Sequence, residues 1–346
     1  VGSIVTTGWL RIPEANFATL SIQPPANYSG TINLSVRGVV VDASTSGNVT
    51  TVTAAQTLPV TVAPDADGVT TPSASTGVED NGAVAFGSTI NSGLAVADDG
   101  SGTGNNASSE TISRVVLDFP ADTATQTYTV TPGATAGSAQ ITFDAGTRIY
   151  TITSTIITGA PDLGLLSQAD RAQAEADIRA TLNGFTAAMG PTHSDLNGLI
   201  SVTVTTLDVN NNTANTQDNT FDHAIVIQAV ADTPTLSVVD PVTAVSEDGA
   251  NIALTINAGN SADTDNSETL SVRITVPSDG LGPVGTITGT PPANVTLTNL
   301  GGGVYLVTAA GPDNATREAL LDSFLNGGGI AFDPRSNWSG NLTGTN

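Results

Sequence analysis

The sequence predicts an all-β protein made of tandem antiparallel β-sandwich repeats, each carrying one short helix. Three observations support this prediction: landmarks that recur at fixed spacings, short apolar runs rich in Val, Ile and Thr, and turn-forming residues between these runs. Runs of this kind, separated by Gly, Pro, Asn and Asp, are typical of strands. Because the strands are short and numerous, an antiparallel sandwich is favoured over a parallel sheet with crossover helices.

Landmark residues recur along the chain, which indicates a repeat protein. Gly30 matches Gly198 and Glu79 matches Glu247, and both pairs are 168 positions apart. A third copy follows sooner, since Gly198 recurs as Gly340 after 142 positions. The chain is therefore expected to be a window cut from a longer array. Its expected units are the C-terminal part of one repeat (1–66), a complete β-sandwich repeat (67–231), and a further repeat truncated at its C-terminal end (232–346).

Apolar runs predict the strands of the first two units in order. In the first unit they lie at residues 18–22, 31–41, 50–53 and 56–62, with a hairpin loop at 42–48. The middle unit opens with the apolar segment 83–90 and a polar loop at 91–110. Strands are then expected at residues 111–119, 126–131, 139–143 and 148–157. A pair at 199–206 and 224–227 closes the unit, with polar residues 208–219 between the two strands.

One helix interrupts the strands of the middle unit. Residues 167–170 resemble a capping box, and Asn183 followed by Gly184 is a plausible stop. Between them one apolar stripe recurs at four-residue spacing, formed by Ala174, Ile178 and Leu182. The counterpart in the third unit is expected at residues 314–325. We expect this helix to close one end of the sandwich.

Composition narrows the possible partners. The 346 residues include 9 basic and 32 acidic side chains, a formal charge of −23. Such a chain repels nucleic acid and anionic membranes and favours cations. No apolar run of about 18 residues and no signal peptide occurs, so no membrane insertion is expected. Cysteine is absent, so a stable extracellular chain would need another crosslink, for which calcium is the obvious candidate.

Candidate calcium ligands stand in the loop before a strand expected at residues 270–276. They are Asp263, Asp265 and Glu268. Calcium binds roughly six to eight oxygen ligands at about 2.3–2.6 Å, and this spacing can direct carboxylates inward while backbone carbonyls complete the shell. The middle unit offers a longer version of the loop, with the carboxylates Asp98, Asp99 and Glu110.

A second set of carboxylates lies at two predicted domain junctions, the first at residues 63–80 and the second at 229–248, and at matching places after the next strand. These residues are Asp67, Glu79, Asp80, Asp122, Asp232, Glu247, Asp248 and Asp279. Gathering them without a cation would cost on the order of several kcal/mol in like-charge repulsion. Two interpretations stay open: these residues bind calcium, or they are solvated turn residues, since Asp is common in turns.

Four segments carry a family resemblance: QPPANYSGTINLSV, VADTPTLSV, VSEDG and DTDNSETLSV. They resemble the cadherin-like and immunoglobulin-like repeats of giant bacterial type I-secreted adhesins of the RTX type. The resemblance covers nearly the whole chain and is strongest over residues 229–276. It has two departures, which are the lengthened loop at 91–110 and the absence of a Gly-Gly-x-Gly-x-Asp nonapeptide.

The resemblance implies a stalk of tandem β-sandwiches that Ca²⁺ makes rigid. Such a stalk is secreted by Gram-negative bacteria and holds a terminal adhesive domain away from the cell. The expected function is thus that of an extender segment on the bacterial cell surface, supporting cell adhesion and biofilm formation. Its expected partners are the neighbouring repeats of the same chain and, beyond them, copies of itself or a surface ligand.

Catalysis is not expected from this sequence. The two histidines, His193 and His223, stand in no metalloprotease or comparable spacing, and cysteine is absent. Adjacent carboxylates such as Glu247 and Asp248 could imitate a glycosidase pair. Aromatic residues, which would form a platform for a sugar, make up only 4% of the chain. The sequence therefore favours a protein that is not an enzyme.

Two other functions remain as alternatives. A repeat could itself bind a glycan or protein ligand, with the loop at 91–110 as the favoured place and Trp9 and Trp338 as aromatic contacts. Trp338, however, aligns with Tyr28 and Leu196 in the other copies, which favours a core position. Alternatively, copies of the chain could assemble into a surface layer or filament.

Overall fold

The computed structural model describes residues 3–6, 9–25, 28–70, 74–96, 110–124, 126–190, 197–210, 212–239, 248–259 and 266–340. Most named elements are strands in several sheets, with four α-helices among these residues, as expected for an all-β protein. Paired strands fall into three groups along the chain, which we call the first, middle and third units. Within the described ranges, no helix is long and apolar enough to cross a membrane.

The first unit contains one long hairpin. Its strands are β1 (Ser3–Thr6), β2 (Trp9–Arg11), β3 (Gly30–Val36), β4 (Val39–Ser44), β5 (Gly47–Val52) and β6 (Gln56–Val62). Antiparallel pairing joins β3 to β6 and β4 to β5, so these four strands form one ribbon that turns at residues 45–46. The hairpin loop predicted at 42–48 is thus confirmed, but the turn comprises only residues 45–46 and the residues beside it belong to β4 and β5.

One predicted strand of the first unit is wrong. Residues 18–22 form no strand; a 3₁₀ helix covers Glu14–Thr19 and irregular backbone follows. Pro13 begins this helix with a φ of −62°, and the Thr19 hydroxyl donates to the carbonyl of Asn16 over 3.1 Å. Both features favour a local turn over an extended strand.

The middle unit is built around a six-stranded sheet in the order β12, β13, β10, β15, β16, β8. Its elements are β7 (Val69–Thr70), β8 (Ser75–Val78), α1 (Phe86–Gly93), β9 (Ala95–Val96), β10 (Thr111–Asp118), β11 (Thr127–Thr131), β12 (Ala139–Asp144), β13 (Ile149–Ser154), α2 (Thr155–Thr158), α3 (Gln168–Asn183), β14 (Thr186–Gly190), β15 (Gly198–Asn210) and β16 (Thr213–Gln228). Strand β8 pairs in parallel with β16, whereas the other pairs are antiparallel. Two short pairs, β7–β9 and β11–β14, accompany this sheet.

Helix α3 was predicted correctly in place and length. The Ser167 hydroxyl accepts from the Asp170 amide over 3.1 Å, which caps the first turn, and the stripe of Ala174, Ile178 and Leu182 is fully buried. The helix lies against β10, β13 and β12. It therefore covers a face of the sheet, because its apolar stripe needs a broad apolar surface to pack on. We had expected it to close one end of the sandwich.

Two further helices correct the prediction of a single helix in the middle unit. Residues 83–90 open the unit, and their second half begins helix α1, in which Phe86 and Ile90 are fully buried at four-residue spacing. The strand expected at 148–157 ends at Ser154, whose hydroxyl accepts from the Ile156 amide over 3.1 Å and starts the single turn α2. Short apolar runs of this kind fit either a strand or a helix.

The hairpin of β15 and β16 is longer than predicted. Residues 208–219 were expected as a polar loop, but 208–210 extend β15 and 213–219 extend β16, and the two strands stay in register as far as Asn210 and Thr213. Their polar groups bond across the ribbon; for example, the Thr205 hydroxyl donates to Asp218 over 2.5 Å. Polar composition suggested a loop, but cross-strand hydrogen bonds make it a strand pair.

The tip of this hairpin holds the end of the first unit. The Asn210 side chain donates to the carbonyl of Ser29 over 2.9 Å, and the Ala66 amide donates to Asn215 over 3.1 Å. Nearby, the Thr206 hydroxyl donates to the carbonyl of Asp67 over 2.7 Å. The extension of the hairpin thus supports the first junction.

The third unit follows the same plan as the middle unit. Its elements are β17 (Thr235–Val239), β18 (Ile252–Ala253), β19 (Thr255–Gly259), β20 (Ser271–Thr275), β21 (Ser278–Asp279), β22 (Gly282–Pro283), β23 (Gly285–Gly289), β24 (Val295–Gly301), β25 (Val304–Ala309), α4 (Asn314–Asn326) and β26 (Ile330–Pro334). Sheets form in the orders β18–β26–β23 and β20–β25–β24, with the pairs β17–β19 and β21–β22. The predicted helix is confirmed as α4, which Asp313 caps at the Thr316 amide over 2.7 Å.

Candidate metal centre at the unit junctions

Glu79 of the middle unit reaches the second junction. Because β8 runs parallel to the last residues of β16, it delivers Glu79 beside the end of that strand, where the Glu79 amide donates to the carbonyl of Gln228 over 2.9 Å. The Glu79 carboxylate then accepts from the Val230 amide over 3.0 Å. Glu79 is only 6% exposed. A carboxylate from the start of the middle unit is therefore buried against the linker that follows the unit.

Glu268 of the third unit meets the same linker from the other side. Its carboxylate accepts a hydrogen bond from the Asp232 amide. Two glutamates from different units thus bind backbone amides only two residues apart, at Val230 and Asp232. We call this cluster of Glu79, Asp232 and Glu268 the junction cluster.

The first junction repeats half of this arrangement. Glu110, the counterpart of Glu268, accepts from the amide of Asp67, the counterpart of Asp232, over 2.5 Å. Glu110 is also buried. The longer loop predicted in the middle unit therefore matches the shorter loop of the third unit at this residue, since each Glu binds the amide of the Asp in the linker before it.

The second residue of each Glu-Asp pair shapes the backbone. Asp80 has a φ of 67° and Asp248 a φ of 56°. This left-handed region is one that Asp and Asn tolerate better than most residues. The Asp248 carboxylate also accepts from the Asn337 amide over 3.0 Å. Both aspartates therefore lie in turns of the backbone.

Asp122 and Asp279 occupy matching places, as predicted, but each faces an arginine. Asp122 forms an ion pair with Arg148 and accepts from the Tyr128 amide over 2.9 Å. Asp279 forms an ion pair with Arg335 over 2.5 Å. Hydrogen bonds from the Arg335 guanidinium lower the pKa of Asp279 below its ordinary value, and the Leu281 amide adds to this. The structure does not bring these two carboxylates into the junction cluster.

The remaining predicted ligands lie outside the described residues: Asp98, Asp99, Glu247, Asp263 and Asp265. Residues 97–109 of the long loop also lie outside them. Within the part of the chain that the structure describes, no group of three or more His, Cys, Asp or Glu side chains could hold a metal ion. The junction cluster therefore supplies anchored carboxylates rather than a finished coordination sphere.

An arginine that was not predicted holds the loop that carries Glu268. Arg317, in the first turn of α4, donates to the carbonyls of Asn266 and Glu268 over 3.2 and 2.8 Å. Arg171 occupies the same place in α3 and is buried. Burial lowers the pKa of Arg171, and the nearby Asp208 opposes this. The sequence contained a signal for this shared role, since both helices have Arg as their fourth residue.

The chemistry of the junction cluster fits a hard divalent cation. Carboxylate and carbonyl oxygens are the ligands that calcium prefers, and a buried carboxylate gains most from a nearby cation. The backbone amides fix the Glu79 and Glu268 carboxylates at either side of a short linker. The two carboxylates are thus held in place at the junction, without a coordination sphere among the described residues.

His223 is a buried residue of the six-stranded sheet in the middle unit. His223 is 1% exposed, and its Nε2 lies 2.8 Å from the hydroxyl of Ser75, which is equally buried. The pair links β16 to β8 inside the sheet. His193 lies outside the described residues. Trp338 packs edge to face on Phe332 at 6.4 Å beside the core of the third unit, as its repeat position predicted.

Comparisons with known proteins identify no family for this chain. No family model matches it, and no curated protein matches it. Among solved structures, it is similar to the C-terminal domain of the AgI/II polypeptide BspA of Streptococcus agalactiae, with 12% identity, a TM-score of 0.16, and coverage of 64% of this chain and 73% of that one. Likeness at this level carries no conclusion about fold or function.

Proposed function

We propose that this chain is a non-enzymatic stalk segment of a bacterial surface adhesin, built from β-sandwich repeats and made rigid by calcium at its junctions. The observation that carries the proposal is the junction cluster, in which Glu79 and Glu268 of successive units bind the same linker. A cation held between units would fix the angle between them. The family resemblance of the sequence supports the adhesin, its type I secretion and its role in biofilms.

The middle unit binds the linker at each of its ends through a buried glutamate, which supports a role for such junctions along the array. The middle unit offers Glu110 to the linker before it and Glu79 to the linker after it. These linkers lie at opposite ends of the hairpin β15–β16, whose 13-residue strand β15 spans roughly 40 Å at about 3.3 Å per residue. The middle unit is thus a spacer with a carboxylate at both ends, as a stalk requires.

Calcium binding would also make the rigidity of the chain depend on whether the chain is inside or outside the cell. An ion that binds only the folded state adds about 2.7 kcal/mol of stability at one hundred times its dissociation constant. A chain with 32 acidic residues is loosened by repulsion where calcium is scarce, as in bacterial cytosol, and stiffens where calcium is millimolar. Secretion as a loose chain and folding outside the cell follow from this difference.

The test uses the full chain in millimolar calcium and then in chelator. We expect calcium to raise the melting temperature and, by small-angle scattering, to give a longer particle with a narrower spread of shapes. Glu79→Gln and Glu268→Gln should each lose most of this response, because each removes one charge from the junction cluster. Isothermal titration calorimetry would report the lost binding directly.

The matched control is Asp42→Asn, which neutralises an exposed carboxylate in β4, away from both linkers. It should keep the calcium response of the parent chain. Equal melting temperatures and equal scattering with calcium and chelator would refute the calcium mechanism. A response that survives in both Gln variants would instead refute the junction cluster as its site.

A further inference from the structure

The middle unit begins and ends on neighbouring segments that run in the same direction. We call residues 66–70 and 74–79 the entry segment, and the exit strand is β16. The entry segment starts near the tip of the hairpin β15–β16, where the Ala66 amide donates to Asn215 over 3.1 Å. Farther along, β8 pairs in parallel with residues 225–228 of β16. The chain therefore enters the unit at one end of β16 and leaves it at the other.

Tension along the chain would load this contact in shear. A pull on the linkers before and after the unit slides the entry segment along β16, because the two linkers leave at opposite ends of the parallel pair. All hydrogen bonds between the two segments then carry the load together. Neighbouring ends of an antiparallel pair leave at the same end, so a pull on them breaks the bonds one after another. Shear therefore needs a larger force than opening from one end.

The contact between β8 and β16 is closed to water. Ser75 and His223 are each 1% exposed, and the Ser75 hydroxyl lies 2.8 Å from His223 Nε2. There is no space for a side chain at Gly77, where a Cβ would lie 2.4 Å from Val84 Cγ2 and 3.1 Å from Ile227 Cδ1. A buried hydrogen bond that is pulled apart leaves its polar groups without water, so it resists rupture more than an exposed bond does.

Glu79 extends the contact past the end of β8. Its amide donates to the carbonyl of Gln228 over 2.9 Å, and its carboxylate accepts from the Val230 amide over 3.0 Å. Both bonds lie where the exit linker leaves the sheet, so a pull on this linker loads them directly. Binding the Val230 amide requires an acceptor oxygen on residue 79 but no negative charge. This role of Glu79 is therefore separate from any role in holding a cation.

We propose that the entry segment and β16 form a mechanical clamp, which keeps the middle unit folded while tension passes along the chain. The inference rests on the proposed function, because a stalk that holds an adhesive domain is pulled from both ends. It adds a second source of strength to that function. The clamp consists of hydrogen bonds inside the middle unit, whereas calcium would act between units.

Single-molecule force spectroscopy of the full chain in millimolar calcium tests the direction of loading. The chain has no cysteine of its own, so two introduced cysteines can carry the handles. Asp65→Cys with Thr233→Cys pulls on both linkers in shear, whereas Asn81→Cys with Thr233→Cys opens the clamp from one end; all three positions are exposed. At equal pulling speed, we expect the shear direction to need roughly twofold more force or higher, because its hydrogen bonds break together. Equal forces in the two directions would overturn the clamp.

Ser75→Ala removes one buried hydrogen bond of the clamp. Under constant force in the shear direction, the middle unit of this variant should unfold roughly fivefold faster, the rate change that corresponds to the loss of one hydrogen bond. The matched control is Ser113→Ala, which removes a buried bond of 3.1 Å from the Ser113 hydroxyl to the Thr205 carbonyl, between β10 and β15. This bond is still intact when the clamp breaks, so the rate should change less than about twofold. Equal acceleration in the two variants would overturn the clamp.

Two substitutions of Glu79 separate the clamp from the calcium mechanism. Glu79→Gln keeps an acceptor oxygen for the Val230 amide, so in chelator its unfolding rate under shear should equal that of the parent. Glu79→Ala removes the acceptor and should unfold roughly fivefold faster. Equal rates for the Gln and Ala variants would overturn the place of Glu79 in the clamp. Melting temperatures with calcium and chelator test the calcium mechanism, whereas the two pulling directions test the clamp, so either can fail alone.

Discussion

At the scale of single residues, His223 makes the middle unit sensitive to acid. Burial lowers the pKa of its imidazole below the ordinary value, so the folded state resists protonation. The unfolded state takes up the proton below a pH of about 6.5, so stability is full above that pH and falls as the pH drops. Each pH unit below that value can cost at most about 1.4 kcal/mol for one group, and the loss stops once the folded state also takes up the proton.

Urea unfolding at pH 7.5 and 5.5, at constant calcium, measures this effect. His223→Gln keeps a polar side chain near Ser75 but does not titrate, so its stability should fall less between the two pH values than that of the parent. The difference between parent and variant isolates the histidine from the many carboxylates of the chain. An identical pH dependence in both proteins would contradict the prediction.

At the scale of elements, the tip of the hairpin β15–β16 sets the orientation of the first unit. Asn210→Ala removes two hydrogen bonds to Ser29, at 2.9 and 2.8 Å. Each is worth about 1 kcal/mol, so the first unit should move more freely on the middle unit while the middle unit stays folded. Spin labels at Val49→Cys and Gln140→Cys should show a broader distance distribution by electron paramagnetic resonance.

The control for this experiment removes a hydrogen bond of similar length inside the middle unit. The Asn91 side chain donates to Asn183 over 2.9 Å, and Asn183→Ala breaks this bond away from either junction. Its distance distribution should match that of the parent. A distribution that stays narrow in Asn210→Ala would mean that other contacts set the orientation.

At the scale of the whole molecule, net charge governs stability when calcium is absent. With a formal charge of −23, repulsion between acidic side chains destabilises the folded state. In chelator, raising sodium chloride from about 0.1 M to about 1 M shortens the screening length from roughly 10 Å to roughly 3 Å. We expect the melting temperature to rise with this salt, and to rise less when calcium already neutralises the junctions. A melting temperature that falls with salt in chelator would show that repulsion between the acidic side chains does not limit the stability of the chain.

Local sequence patterns determined the parts of the fold that depend on neighbours in the chain. The Ser167 cap and the four-residue stripe specified α3, because capping and helical periodicity act within a few residues. The similarity of the two acidic loops likewise matched Glu110 to Glu268, and the structure places both against the aspartate of the preceding linker. Copies with the same local sequence adopt the same local contacts.

Contacts between distant segments were decided only by the tertiary structure. Glu79 reaches the second junction because β8 pairs in parallel with β16, and no local pattern reveals such a pairing. Residues 208–210 and 213–219 became strands because polar groups bond across the ribbon, and Arg317 gained its role from a loop far away in sequence. The sequence by itself therefore determined the recurring landmarks, the helices α3 and α4 and the acidic residues at each junction. Strand pairing over long distances decided which of those acids meet, because a side chain's partners depend on where the whole chain places its strands.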